Sequence, residues 1–340
     1  MNISENVGLK PYNTFGINAN SKYFTTLTTP ADIPALLTSK LFERERHLIL
    51  GGGSNVLFTN DYDGLVAIVE LKGIKIIDED DNAITLHAGA GENWHSFVTY
   101  CVNNNYGGVE NLSLIPGTTG AAPMQNIGAY GTEIKDVIIA VEAVEIQTGD
   151  HKIFSKEACE FGYRESIFKQ KAFDKYIITG VHLRLTKRNH KLNIQYGAIS
   201  DTLKSMNIAS PTIKDISEAV MHIRRTKLPD PAKIGNAGSF FKNPSIPSIQ
   251  YNELKNQHPN IPSFPSQEGL IKIPAGWLIE QCGWKGKTFD KIGVHANQAL
   301  VIVNYGGGEG QSIWALAMKI QQSVEDKFKI TLQPEVNVIK

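Results

Sequence analysis

Cysteine is scarce in this chain. Cys101, Cys159 and Cys282 are its only three in 340 residues, too few for a disulfide framework and too widely spaced for a CxxC site, so a reducing compartment is expected. Long apolar runs are missing as well: no stretch reaches the roughly 20 residues needed to span a bilayer. Met1 to Lys10 has neither the basic nor the apolar region of a secretory leader. Charge of one sign is not in excess, because 34 Lys and Arg balance 34 Asp and Glu. That balance gives no general attraction to nucleic acid or to an anionic membrane, and any phosphate must be held locally. The nine histidines show no HExxH or other histidine–carboxylate spacing, so no metal centre is expected. Repeats and low-complexity tracts are absent too. The expectation is a soluble cytoplasmic protein without nucleic-acid or membrane partners. With 41% hydrophobic and 9% aromatic residues, the chain can build ordinary cores in one large domain or two to three smaller ones.

Short helices alternate with many strands, which indicates an α+β fold. Asp32 to Leu37 reads as a helix; His47 to Leu50, Leu65 to Val69, Ile74 to Ile77 and Ala83 to Ala88 read as strands, the last two joined by the solvated acidic turn Asp78 to Asp81. Trp94, Phe97, Val98, Cys101 and Val102 recur at helical spacing and place Cys101 in a core rather than in a nucleophile's position. Val137 to Ile146 and Tyr176 to Leu185 are further strands. Thr212 and Asp215 form a capping box before the stripe Ile213, Ile216, Val220 and Ile223. A domain boundary is placed near Arg225. Asn243 to Pro274, rich in proline, reads as a long and partly irregular excursion. A last helix covers Ser312 to Phe328, and Leu332 to Ile339 is an extended tail carrying Glu335.

Two glycine segments stand out. Gly51-Gly52-Gly53-Ser54-Asn55 follows a strand directly, and its converging N–H groups can cradle a phosphate, although the motif alone equally describes a tight turn. It fits neither GxGxxG nor a Walker A loop. The second runs Pro116-Gly117-Thr118-Thr119-Gly120-Ala121 and on through Asn126-Ile127-Gly128-Ala129-Tyr130-Gly131. Its small residues leave room for a flat ring system, and two such segments imply a large cofactor rather than a metal. Arg224, Arg225, Lys227 and Lys233 form a candidate diphosphate neighbourhood, each singly also readable as a solvated helix end. Ser239 lies in the unusual run GNAGSFFKNP, Gly235 to Pro244. Without a GxSxG context it is no hydrolase nucleophile, but a prepared site can make a serine a proton donor.

Taken together, these motifs resemble the UDP-N-acetylenolpyruvoylglucosamine reductases, in the longer type with an insertion in the C-terminal domain. The resemblance covers nearly the whole chain: Asn13-Thr14-Phe15, GGGSN, Ile115-Pro116-Gly117, QNIGAYG ending at Gly131, FGYRES from Phe161, KLPDP from Lys227, GNAGSFFKNP, AGWLIEQ from Ala275 and PEV from Pro334. It implies a vanillyl-alcohol-oxidase-type FAD-binding half of two subdomains, residues 1–71 (joined by 326–340) and 72–225, plus a separate α+β substrate-binding domain, residues 226–325. It also implies bound FAD, NADPH as co-substrate, a monomer, and a place in peptidoglycan synthesis, with the cell-wall, cell-shape and cell-division roles that follow.

By the same resemblance, FAD is held by Gly51, Gly52, Gly53, Ser54 and Asn55 and by Pro116, Gly117, Thr118, Gly120, Ala121, Asn126, Ile127, Gly128, Ala129 and Tyr130. Ser239 donates the proton to the enolpyruvyl group, while Arg164 and Glu335 bracket its carboxylate. Tyr196, Lys227, Asn243, Lys285, Gln298 and Tyr130 face the substrate, Asn243 also positioning Ser239. Two departures from the family pattern are visible. Phe264 stands where a tyrosine contacts the nucleotide phosphates, keeping an aromatic wall without the hydroxyl, and Asn337 stands where longer-type members often carry arginine. A flavin oxidase and a non-catalytic nucleotide-sugar binder are the alternatives; Ser239 together with Glu335 favours alkene reduction over both.

Overall fold

In the computed structural model, which describes residues Met1–Lys340, strand Tyr176–Thr186 shows how the pattern builds the fold. Val181, Leu183 and Leu185 are buried while His182 and Arg184 are not, as the two-residue period of a pleated strand requires. The antiparallel neighbours Ile138–Glu145 and Ala83–Gly89 bury Val141 and Ala143, and Ile84, Leu86 and Ala88, in the same core. His151–Ser155 and Ile74–Glu79 complete the two edges of this five-stranded sheet. The expected acidic turn is shorter than its sequence suggests, because Asp78 and Glu79 still pair with Thr85 and Ile84 in the ladder.

A second sheet has the order Ile3–Gly8, Asn20–Leu27, Tyr62–Val69, His47–Leu50, with its last two strands parallel. Leu65 through Val69 are all buried, the near-continuous apolar run typical of a covered parallel strand. Helix Trp94–Asn103 is capped by Asn93, whose side chain accepts from Ser96 N, and it buries the five predicted residues. Burial pushes the Cys101 thiol strongly up, which removes it as a nucleophile. Helix Ile213–Lys227 begins at the predicted box, in which Asp215 accepts from Thr212 N while Thr212 Oγ1 accepts from Asp215 N. With helix Gly197–Ser205 it forms a small separate core of Ile199, Leu203, Ile216, Val220 and Ile223.

Two compact units result. The first comprises Met1–Val7, Ser21–Gly53 and Asp63–Thr226; the second comprises Gly8–Asn20, Ser54–Tyr62 and Lys227–Lys340. Segment 1–71, read from sequence as one part, is therefore divided, and strands of 1–71 and of 72–225 share the first unit. Backbone bonding gives the reason for the division. Within the second unit the carbonyls of Thr14 and Phe15 accept from Asn236 N and Asn304 Nδ2, and Val56–Phe58 pairs in parallel with Asn337–Ile339. Gly310 is required there, because a Cβ would stand 1.7 Å from Phe58 O.

Asn243 to Pro274, expected to be partly irregular, instead holds helix Ser248–Gln257 and a three-stranded sheet of Ser245–Pro247, Leu270–Lys272 and Phe264–Pro265. The helix was not legible because it buries only Tyr251 and Leu254 and so lacks an apolar stripe. The final helix, Gly310–Phe328, is deeply packed along Ile313, Leu316, Ala317, Ile320 and Val324. No helix is long and apolar enough to cross a membrane.

Candidate functional site

The two glycine segments meet in the first unit. A Cβ on Gly52 would stand 3.1 Å from the Gly117 Cα, and one on Gly51 would stand 2.6 Å from Thr118 Oγ1. Gly53 and Gly117 adopt φ of 58° and 117°, values that glycine alone adopts freely. Thr118 Oγ1 is buried without a hydrogen-bond partner, which costs about 1–3 kcal/mol unless a polar atom is brought to it. The neighbouring residues are fixed from within: Thr119 N donates to Glu92 O, Gly120 N to Ala90 O and Ala121 N to Thr118 O. Gly120 and Ala121 therefore hold the segment's shape with their own N–H groups. Side-chain-free walls around an unsatisfied hydroxyl fit the flat, polar-edged cofactor expected from the sequence.

The following loop is tied to Arg164. Asn126 is fully buried and donates to Gly162 O and Glu133 Oε2, while its Oδ1 accepts from Lys135 N. Asn126 thus fastens the loop to the turn carrying Arg164. Arg164 itself, at a left-handed φ of 54°, donates from Nη2 to Gly128 O at 2.6 Å. Ile127 donates to Ala122 O, and Ala129 pairs with Thr132 in a short hairpin. Tyr130, also left-handed at 50°, meets Tyr196 edge to face with ring centroids 5.5 Å apart. Burial raises the Tyr130 phenol, partly offset by the Arg224 guanidinium beside it.

Sequence reasoning did not place two further residues in this arrangement. Arg224 bonds Tyr130 and donates from Nε to Leu114 O, and His95 Nδ1 accepts from Leu114 N at 3.0 Å. Leu114, held at φ 60°, is clamped from both sides directly before Ile115-Pro116-Gly117. Burial and the charges of Arg225 and Arg224 lower the His95 imidazole pKa, in keeping with its role as an acceptor. The one available signal was the cluster of basic residues at the end of the Ile213–Lys227 helix. Its direction toward Leu114 is a tertiary fact.

In the second unit, Ser239 is partly buried between Gly238, at φ 72°, and fully buried Phe240. Asn236 shapes the turn by accepting from Gly238 N and donating to Pro229 O and Ile234 O. Phe240 O accepts from Glu335 N, so the serine and the glutamate lie on directly bonded backbone segments. Asn55, expected at the cofactor, grips the same glutamate: its Nδ2 donates to Glu335 O at 3.1 Å. Asn337 supports this arrangement, donating from N and Nδ2 to Asn55 O.

Several expected substrate contacts have internal partners. Asn243 Oδ1 accepts from Ala275 N and anchors the start of helix Ala275–Gln281. Lys285 pairs with Glu280 at 2.9 Å, and Gln298 Oε1 accepts from Leu300 N in a turn. Phe264 is exposed on the small sheet, and Lys227 is exposed as the last residue of its helix.

Glycine walls, a buried unpartnered hydroxyl and a braced arginine suit a bound cofactor, and a family model described as an FAD binding domain matches residues 21–155, which together with the relatives below makes the chain a flavin oxidoreductase. A second model, described as the UDP-N-acetylenolpyruvoylglucosamine reductase C-terminal domain, matches residues 230–339. Proteins named UDP-N-acetylenolpyruvoylglucosamine reductase from Amoebophilus asiaticus and Flavobacterium johnsoniae are 51% and 49% identical over 340 and 339 residues, each covering 100% of both chains. The crystal structure of such a reductase from Thermus caldophilus shares the fold, with a TM-score of 0.68 and 22% identity over 100% of both chains. The chain belongs to the UDP-N-acetylenolpyruvoylglucosamine reductase family.

Proposed function

We propose that this chain reduces the enolpyruvyl group of UDP-N-acetylglucosamine enolpyruvate to the lactyl ether of UDP-N-acetylmuramate, with NADPH as the electron source, as a step of peptidoglycan precursor synthesis. The observation that supports the residue assignments is the bond between Phe240 O and Glu335 N, which joins the backbone segments that carry Ser239 and Glu335. Reduction of this alkene needs a hydride at its terminal carbon and a proton at the adjacent one. FAD, when bound, supplies the hydride chemistry, and Gly51, Gly52, Gly117 and Thr118 are the residues that would hold it.

The chain's own groups handle the substrate and the proton. Arg164 takes the enolpyruvyl carboxylate: its planar guanidinium suits a bidentate contact, and its bond to Gly128 O holds the fork in place. Withdrawing electron density through that carboxylate makes the alkene a better hydride acceptor. Ser239 Oγ delivers the proton to the adjacent carbon. Glu335, its backbone fixed on one side by Phe240 and on the other by Asn55, acts as the neutral acid, donating a hydrogen bond to the enol-like intermediate and passing on the replacement proton. Tyr130, Tyr196 and Lys227 contact the nucleotide sugar, Phe264 offers it an apolar wall, and Asn243, Lys285 and Gln298 support the surrounding turns.

The test is an anaerobic visible spectrum of the purified protein, taken before NADPH, after NADPH and then after UDP-N-acetylglucosamine enolpyruvate. Bleaching followed by recovery is expected. Flavin that bleaches but fails to recover on the nucleotide sugar overturns the substrate assignment, and protein that carries no flavin and takes none up overturns the cofactor assignment.

A further inference from the structure

The five-stranded sheet carries a second cluster on the face turned away from its core. We propose that His87, Glu142 and His182 form a binding site for a divalent transition ion of the zinc class, unrelated to the reduction chemistry. The three side chains come from three adjacent strands. His87 is directly paired with His182, and Glu142 with Gly180, so alternation puts all of them on one face.

One donor atom from each residue lies within 4.8 Å of the other two. His87 Nε2 is 3.4 Å from Glu142 Oε2, and His182 Nε2 is 2.6 Å from Glu142 Oε1. A tetrahedral zinc with bonds of about 2.0–2.1 Å separates neighbouring donors by about 3.3 Å. The first pair already has that spacing, and the second reaches it by a small rotation of the Glu142 carboxylate. The imidazole rings stand at 86° with centroids 5.3 Å apart.

Gly180 creates the space over which they converge. A Cβ there would stand 2.3 Å from His87 Nε2, so any other residue would push the ring away. The side chains keep 18%, 33% and 15% exposure for His87, Glu142 and His182, which leaves an ion a way in and a water the fourth position.

Two imidazoles and one carboxylate suit zinc, nickel or copper far better than magnesium or calcium. Two features hold the affinity down. Lys75 pairs with His87 on the neighbouring strand and adds positive charge, whereas Arg184 is engaged by Asp78 and Asp80. His87 Nδ1 is buried with no hydrogen-bond partner, and an outer partner of a ligating histidine commonly contributes about 10–100-fold in affinity. Micromolar binding is therefore expected.

The experiment uses full-length, flavin-loaded protein freed of metal by a chelator, with zinc chloride as the probe. Equilibrium dialysis with elemental analysis should show one zinc per chain, and a thermal midpoint raised by zinc. Glu142→Gln and His182→Asn should each weaken uptake at least tenfold while keeping far-ultraviolet dichroism and flavin content. Gly180→Ala should weaken it with every ligand still present. Should the variants not fold, imidazole resonances of His87 and His182 that shift together on zinc titration of the unaltered protein support the site. Absence of micromolar uptake, uptake unchanged in the folded variants, or zinc titration that leaves both imidazoles unmoved overturns it.

Discussion

Replacing Gly51 by alanine is a sharp perturbation because the backbone there is ordinary and the effect is purely steric. The new methyl carbon would stand 2.6 Å from Thr118 Oγ1, with the next atom, the Ala121 Cβ, at a normal 3.5 Å and the Thr118 Cβ at 3.9 Å. One oxygen therefore carries the whole clash. Overpacking of this kind costs about 1–3 kcal/mol, or about 5–150-fold in an equilibrium constant, since 1.4 kcal/mol is tenfold. The cost falls on folding or on flavin retention, so both are measured: urea denaturation of the flavin-free protein, and flavin release followed by fluorescence. Thr118→Ala removes the obstructing oxygen but keeps its Cβ. In the double variant the clash is gone, so Gly51→Ala should cost little on that background, a coupling of at least about 0.5 kcal/mol. Gly51→Ala indistinguishable from the parent in both assays, or strictly additive with Thr118→Ala, would refute the close approach of the two glycine segments.

Other expectations follow from the same geometry. Ser239→Ala should leave bleaching by NADPH unchanged and slow re-oxidation by the nucleotide sugar about 100-fold or more, the usual contribution of a positioned proton donor; equal turnover removes that role. Arg164→Lys keeps the charge but loses the planar fork, and steady-state kinetics should show kcat/KM down at least tenfold with flavin content intact, whereas unchanged kinetics would mean that the carboxylate is held elsewhere. His95 predicts a pH effect. Its folded pKa lies below the unfolded value of about 6.5, because of burial and then Arg225 and Arg224, so the unfolded chain binds its proton first as pH drops. Its contribution is complete above about pH 6.5 and is lost as pH falls through the lower folded value. Denaturation midpoints measured from pH 8 to 5 should decline more steeply below 6.5 in the parent than in His95→Gln, and parallel curves would discard the Leu114 clamp.

The local pattern foretold most single elements. Helices Asp32–Leu37 and Trp94–Asn103 and the Thr212 cap stand where periodicity and capping put them, because each helix buries one face at a fixed period; strand His47–Leu50 stands where its apolar run put it, although only Leu50 is buried. Helix Ser248–Gln257 was missed since only Tyr251 and Leu254 are buried along it, leaving nothing periodic to read. The glycine segments were recognisable as close-approach sites. That they approach each other, through Gly52 and Gly117, was not.

By itself, then, the sequence determined the α+β class and, through motif order along the whole chain, the family to which it belongs. Tertiary structure alone decided which residues brace one another. Asn55, expected at the cofactor, also holds Glu335 across 280 positions of sequence; Arg224 and His95 clamp Leu114 from elements 110 and 19 residues away. It also gathered His87, Glu142 and His182 on one sheet face, where linear spacing had argued against any metal centre. The physical reason is common to all three. Helical and strand periods are set by neighbours in the chain, whereas strand pairing and long-range hydrogen bonds join residues whose separation in sequence carries no local signal.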